Sequence, residues 1–447
     1  MTQYEKMTGT KIPGLVISLA IPTTISMLIT SLYNLADTAF VGQLGNASTG
    51  AIGVAFSFMT VLQSFGFLNG HGGGINASVA LGRQDNEKAN RYASSAFCGS
   101  FFLGLLFAVL GLAFLEPLVY LLGSTETIAP LAESYLRNIL VAGPFVTTSF
   151  TMNNMLRYEG KAKLGTVGMM VGAVLNVGLD PVFIFVFHMG VAGAGLATAI
   201  SQCISFSILL FMFLSGRSSL RLSLRLVSTD VHDWINIFTT GLPSLLRQGL
   251  ASLSAMLLNN YAAAYGDAAV AAMSVVTRVS MVIFSVSLGI GQGFQPVSSY
   301  NYGAKLYSRV REAFRFTLIA SLIFMFIVSS TIMLLAPSVI ALFRNDPDVI
   351  TIGTRALRLY CFSLYFMPIT MCTEMQLQST GQKASASLLA SMRGGLLFIP
   401  LLIALSSLRG LSGLQEAQPL AYLLMVPIAV VFGVRFFRRL PEEEHEL

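Results

Sequence analysis

The chain carries a dozen separate apolar runs, each close to the roughly 20 residues that an α-helix needs to cross a hydrocarbon core. No other feature limits its folding as much. A soluble core can bury many leucines, but it cannot hide twelve such runs. In lipid every backbone N–H and C=O must be paired internally, which leaves helices or a closed barrel. Long continuous runs without strand alternation select helices. Only 11% of the 447 residues are charged and 54% are hydrophobic, whereas an ordinary soluble domain is about 25% charged. The expected fold is an all-α polytopic membrane protein.

The runs, numbered here as spans one to twelve, lie near 15–40, 51–75, 92–115, 134–156, 165–187, 193–214, 234–260, 270–294, 314–337, 356–378, 387–406 and 418–437. Connections after even-numbered spans carry Arg83, Lys88, Arg91, Arg157, Lys161, Lys163, Arg217, Arg221, Arg225, Lys305, Arg309, Arg311, Arg315 and Lys383. The other connections offer only Arg344 and Arg409, with Arg355 and Arg358 at the mouth of span ten. By the positive-inside rule both termini are cytoplasmic. These clusters account for the net charge of +6, and no basic patch with interleaved aromatics points to nucleic acid. Cys98, Cys203, Cys361 and Cys372 all lie in apolar runs, as reduced packing residues do. The first run is too long for a removable signal peptide and reads as a retained span.

Landmarks recur at one offset of 221 residues: Pro22 with Pro243, Gly45 with Gly266, Gly70 with Gly291, Gly82 with Gly303, Arg137 with Arg358, Leu156 with Leu377 and Gly160 with Gly381. Each half then holds six spans, and an even number inserts both halves in the same orientation. The expected organisation is a first lobe at 1–214, a cytoplasmic linker at 215–233, a second lobe at 234–437 and an acidic cytoplasmic tail at 438–447. Two parallel six-helix lobes with a cleft between them form a transporter architecture. An enzyme is not expected, because no hydrolase, protease, kinase or nucleotide-loop motif is present; G-H-G-G-G at 70–74 lacks the dinucleotide spacing. His71 within it reads as a packed histidine, and Gly66, Gly70 and Gly74 as a ladder for close helix approach.

Chemistry centres on Asp37. An unpaired carboxylate inside a span costs roughly 2.5–3.5 kcal/mol on insertion scales, so an intramembrane acid is a candidate functional group by default. Tyr33 and Asp37 share a helix face with Asn34 beside them, and Asn176 and Asp180 in span five are likewise four apart. Pro181 removes a backbone donor and should free the Val177 carbonyl. Thr198, early in span six, falls at a similar depth. Carboxylates, carbonyls and hydroxyls together suit a hard cation or a proton relay. At the 221 offset Asp37, Asn176 and Asp180 correspond to Leu258, Leu397 and Leu401, so the chemistry belongs to the first half. Asn153 is the reverse case, since its counterpart is Glu374, a candidate substrate or proton group that could instead pair with Arg247, Arg278 or Arg393. Pro22 and Pro243 can bend spans one and seven, and Pro181 span five, as hinges.

The motifs N-L-A-D-T-A-F-V-G-Q-L-G at 34–45, G-x-x-x-S-x-x-x-G at 74–82, L-R-Y-E-G at 156–160, L-N-V-G-L-D-P at 175–181 and G-x-G-L-A-T at 193–198 resemble those of the multidrug and toxic compound extrusion (MATE) family, with echoes at 293–303 and 377–381. The likeness covers essentially the whole chain and is nearest to the DinF-type, archaeal-like prokaryotic branch. It implies a V-shaped pair of six-helix lobes that exports amphipathic, often cationic compounds against inward proton or sodium flow. The implied coupling site is Asp37, Asn176, Asp180 and Thr198, and the implied pocket lining includes Tyr33, Tyr135 and Asn153. No cofactor is expected, and no metal other than a sodium ion at Asp37 and Asp180. The resemblance also implies a monomer in the inner membrane of a prokaryote. A lipid-linked precursor or polysaccharide flippase of the same superfamily is the alternative, which Arg247, Arg278 and Arg393 keep open.

Overall fold

The computed structural model describes residues 2–441 apart from the side chains of Leu35 and Asn46; the end of the expected tail, 442–447, lies outside the described residues. All twelve expected spans are helical. Spans one to six are Ile12–Gly42, Asn46–Gly82, Asn86–Ala113, Ala129–Tyr158, Ala162–Pro181 and Gly190–Leu214. Spans seven, eight, nine and twelve are Val231–Ala263, Asp267–Gly303, Tyr307–Leu334 and Leu411–Arg439. Span ten is two helices, Pro347–Leu364 and Met367–Ser379, and span eleven runs Lys383–Ser391 and Phe398–Arg409 around a π-helical turn, Met392–Leu396. A second π-helical turn, Val182–Val186, ends span five. Among the described residues nine helices are long and apolar enough to cross a membrane. The other three expected spans are four, seven and ten. Span four holds Glu133 and Arg137 near its start, span seven holds Asp233 and Arg247, and span ten breaks before Pro368.

The repeat is present in the backbone itself. Span two begins at Asn46 and ends at Gly82, span eight at Asp267 and Gly303, each pair 221 residues apart; spans three and nine match in the same way, Asn86 with Tyr307 and Ala113 with Leu334. Left-handed backbone recurs at the same offset, at Gly45 and Gly266, Gln84 and Lys305, and Gly160 and Gly381. After spans two and eight the chain closes with equivalent bonds, Asp85 N–H to the Ala80 carbonyl and Leu306 N–H to the Asn301 carbonyl, both 2.9 Å. Exposed apolar side chains also correspond, Phe102, Leu105 and Leu106 on span three with Ile323, Phe326 and Ile327 on span nine. A lipid-facing surface needs no polar cover.

The glycine ladder of span two sets its distance from span four. A Cβ on Gly66 would meet Thr147 and Phe150, on Gly70 Asn154, and on Gly74 Tyr158, so four-residue steps of one helix lie against those of the other. Close approach of this kind is how membrane helices gain packing without a hydrophobic driving force. His71 is fully buried there, its Nδ1 3.0 Å from the Phe67 carbonyl.

Contacts divide the chain into two compact units, the first taking residues up to Thr10 and Ile21–Leu245, the second Lys11–Ala20 and everything from Leu246. The division passes through spans one and seven, close to Pro22 and Pro243. In the first unit the opening of span seven lies against span two, where Cβ atoms on Gly72 and Gly241 would strike the carbonyls of Ile237 and Leu68. In the second unit the opening of span one lies against span eight, where a Cβ on Gly293 would strike the Ala20 backbone. Residues 215–233 belong to the first unit and are held along its helix ends. Ser223 N–H donates to Ser94 Oγ at 3.1 Å and Ser228 N–H to Ser95 Oγ at 2.8 Å. Arg221 N–H donates to Asn90 Oδ1 at 2.7 Å. The buried Glu159 carboxylate accepts from the Ser219 and Leu220 N–H groups at 2.7 and 3.3 Å. Burial pushes the Glu159 carboxyl above the usual range, a rise that Lys161 and these N–H groups oppose.

Two glycines of the repeat differ in surroundings. Gly160 and Gly381 both have positive φ, +87° and +79°, but the Cβ position of Gly160 is filled by Gln3 and Met7 whereas that of Gly381 is open. Gly381→Ala should therefore cost about 1–2 kcal/mol from backbone conformation alone. Gly160→Ala should cost more, by displacing Gln3 Nε2 from the Glu159 carbonyl it binds at 2.6 Å. Thermal unfolding of the two variants in detergent tests that order.

Candidate functional site

Span one presents Tyr33 and Asp37 on one face, both buried, 6% and 7% exposed. Asp37 is not held by its own helix. Tyr135 of span four donates its hydroxyl to Asp37 Oδ2 at 2.9 Å, and the same hydroxyl lies 3.4 Å from Thr198 Oγ1 of span six. Asn176 of span five donates through Nδ2 to Thr198 Oγ1 at 3.1 Å and to Asp180 Oδ1 at 3.3 Å. Asp37, Tyr135, Thr198, Asn176 and Asp180 thus form one chain of hydrogen bonds across four helices of the first unit.

Local sequence makes this convergence possible. Gly195 lies one turn before Thr198, and a Cβ on it would meet the Tyr135 carbonyl oxygen and Cα at 2.8 and 3.0 Å. Its missing side chain brings span six against the backbone of span four at the level of Tyr135. Asn138 Nδ2, donating to the Ala192 carbonyl at 3.1 Å, fixes the same approach. Gly172 does the equivalent for spans five and six, with its Cβ position occupied by Ser205 and the Ser201 carbonyl. Beyond Pro181 the helix loosens into its π-helical turn, closed by Phe187 N–H on the Val182 carbonyl at 2.9 Å.

The network is short of donors. Asp37 Oδ1, Asp180 Oδ2 and Asn176 Oδ1 are buried oxygen atoms with no hydrogen-bond partner among the described residues. Tyr33 and Ser201 hydroxyls and Gln202 Oε1 are in the same condition. Buried acceptors left unpaired cost on the order of 1–3 kcal/mol each, more when charged. Added protons or a cation with oxygen ligands would relieve that cost, and the donor set is that of a hard ion. Among the described residues no cluster of three or more His, Cys, Asp or Glu side chains suits a transition metal.

Not every residue singled out in the sequence meets here. Asn34 is half-buried, and the recorded bond at this residue is its backbone carbonyl accepting from Thr38 Oγ1 at 2.9 Å. Asn153 is on the helix of Tyr135 but 18 residues further along, about 27 Å of helical rise away. Its side-chain oxygen faces Gly165. Glu374 lies in the second unit, bonded to Arg247 and Arg393, while Arg278 is exposed. Pro22 is inside the first helix, and its carbonyl accepts from Thr166 Oγ1 at 2.9 Å. Pro243 is likewise interior to its helix. Ser201 and Gln202 were missed in the sequence, although they follow Thr198 at the i+3 and i+4 spacing that shares its face.

Helices of this length and polarity, with an ionisable network at their centre, define a multi-pass membrane protein of the transporter class. The pattern that defines the MatE family matches the chain twice, over residues 22–182 and 243–403, again 221 residues apart. The chain belongs to the MATE family. The multidrug export protein MepA of Staphylococcus haemolyticus is 29% identical over 396 residues, which are 88% of this chain and 87% of that protein. MepA of Staphylococcus saprophyticus is 26% identical over 429 residues, 96% and 95% of the two chains. A solved structure of a multidrug resistance MATE transporter of the MOP superfamily, in an outward-facing conformation, superposes with a TM-score of 0.92 at 25% identity, covering 98% of this chain and 99% of that one.

Gly195→Ala should force spans four and six apart, at about 1–3 kcal/mol for overpacking. Gly178→Ala on span five, whose Cβ position is open, is the matched control. The expected outcome is that Gly195→Ala loses sodium- or proton-dependent thermal stabilisation in detergent while Gly178→Ala keeps it.

Proposed function

We propose that the chain is a multidrug efflux antiporter that exports amphipathic, often cationic compounds in exchange for protons or sodium ions. The observation that carries the reading is the set of three unpartnered buried acceptors, Asp37 Oδ1, Asp180 Oδ2 and Asn176 Oδ1, in one hydrogen-bonded network. Buried carboxylates in a membrane are costly unless neutralised. A coupling ion supplies that neutralisation, with Asp37 and Asp180 as charged ligands, Asn176 and Thr198 completing the shell, and Tyr33 and Tyr135 as hydroxyl neighbours. The same negative charge attracts a cationic solute. An ion arriving at Asp37 removes that attraction and favours release of the solute, so each ligand disfavours the other.

An ion can drive such a cycle only through different affinities for its two end states. Spans one and seven are the elements whose geometry must change, and Pro22 and Pro243 are the positions where their helices bend most readily. Lys and Arg placement supports cytoplasmic termini. The chain acts as a monomer in a prokaryotic inner membrane, with no cofactor and no enzymatic turnover.

Asp37→Asn should lower gradient-driven efflux by about 5- to 150-fold, the span of ordinary coupling energies. Tyr135→Phe should weaken the coupling ion by about tenfold, since a hydrogen bond to a charged group contributes roughly 1.5–3 kcal/mol. Counterflow in proteoliposomes with independently imposed sodium and pH gradients measures both and separates the two ions. Unchanged efflux in Asp37→Asn would exclude this mechanism.

A further inference from the structure

The second unit holds a charged cluster that the efflux reading does not use. Glu374, fully buried, accepts from Arg247 Nη1 at 2.5 Å and from Arg393 Nη2 at 3.2 Å. Arg247 and Arg393 are themselves 2% and 7% exposed along their side chains. Two guanidinium groups therefore share one carboxylate inside a helical bundle. Arg393 Nη1 is buried with no hydrogen-bond partner among the described residues. Its guanidinium also lies over the Phe284 ring, 5.0 Å from the centroid. Packing fixes the arginine further. It sits on the π-helical turn Met392–Leu396, a distortion frequent at functional sites. Ser254 Oγ of span seven donates to the Gly394 carbonyl at 2.5 Å, and Gly394 and Gly395 leave no free space against Leu250.

Stability does not explain the cluster. Buried ion triads are often matched or bettered by apolar side chains of similar volume, because desolvation offsets the attraction. The first unit supplies the comparison within this same chain. At the 221-residue offset Arg247, Glu374 and Arg393 correspond to Ser26, Asn153 and Gly172, so a six-helix unit of this family forms without any of the three charges. A guanidinium with a buried, unused N–H edge is a receptor for an oxyanion, since its planar fork pairs with carboxylate oxygens at fixed geometry.

We propose that Arg393, with Arg247, binds the carboxylate of a transported amphiphile, and that Glu374 is the resident carboxylate that holds the two guanidinium groups in place. The inference rests on the efflux reading and extends its cargo from amphipathic cations to zwitterions and amphipathic carboxylates. The first unit's acidic network attracts the positive charge of a solute, whereas this cluster selects for a negative one.

The test uses the purified full chain in proteoliposomes and two probes that differ only at one group: a rhodamine methyl ester, which is a cation, and the free acid of the same rhodamine, a zwitterion at neutral pH. Arg393→Gln is expected to lower the ratio of acid efflux to ester efflux by about tenfold, the loss of one charge-assisted pair. A ratio unchanged within about threefold, whether both probes fall together or neither does, overturns the proposal. Should Arg393→Gln fail to fold, Glu374→Gln carries the test by equilibrium binding. Release of both guanidinium groups should then tighten the acid relative to the ester, and unchanged or weaker acid binding overturns the proposal. If the unmodified chain exports neither probe under any gradient, the efflux reading fails, and the binding ratio still decides the carboxylate site.

Discussion

Water cannot reach most of this chain's interior, so a polar atom there has to find its partner inside the protein. Along the spans the usual solution is local. Thr30, Ser64, Thr148, Ser280 and Ser379 each return a hydroxyl to the carbonyl four residues back on their own helix. Carboxylates have no such recourse, because they offer only acceptors to a helix whose spare groups are also acceptors. Among the described residues, Asp37, Asp180 and Glu159 each keep one buried oxygen unpaired. Glu159 at least meets two backbone N–H groups from the segment after span six. The two aspartates rely on a single hydroxyl and a single amide, and that deficit is what makes them a site.

Duplication explains how such a deficit can be tolerated. Both halves share helix limits, left-handed turn positions and the close approach of one borrowed helix segment. Onto that common frame each unit has placed a different polar cluster at non-equivalent positions. The first is anionic and short of donors; the second is cationic and has a donor to spare. Packing rules hold the frame, and the exceptions to them lie where solutes are handled.

Much of the frame was legible in the sequence because it depends on local signals. Apolar run length set the spans, and single glycines such as Gly45, Gly160 and their counterparts set the offset that the backbone follows. The i,i+4 pairs Tyr33/Asp37 and Asn176/Asp180 located the site. The rest depended on contacts distant in sequence. Nothing near Asp37 names Tyr135, 98 residues away, as its donor, and the likeness to known transporters supplied it. Asn153 seemed close to the pocket only because it shares a helix with Tyr135. The segment 215–233 read as a linker because it is polar, yet its backbone groups are taken up by Ser94, Ser95, Asn90 and Glu159. Glu374 could be assigned to Arg247 and Arg393, and not to exposed Arg278, only once the helices were in place.

The leucines at 258, 397 and 401 stand where the first unit has Asp37, Asn176 and Asp180, and they lie in or against the apolar core of the second unit. One half of the molecule is thus an existing redesign of the other, with the ionisable network replaced by hydrocarbon and the helices intact. Folding information and coupling information are separable in this chain. A lineage could lose, move or reverse the charge of its site without first relearning how to build a lobe.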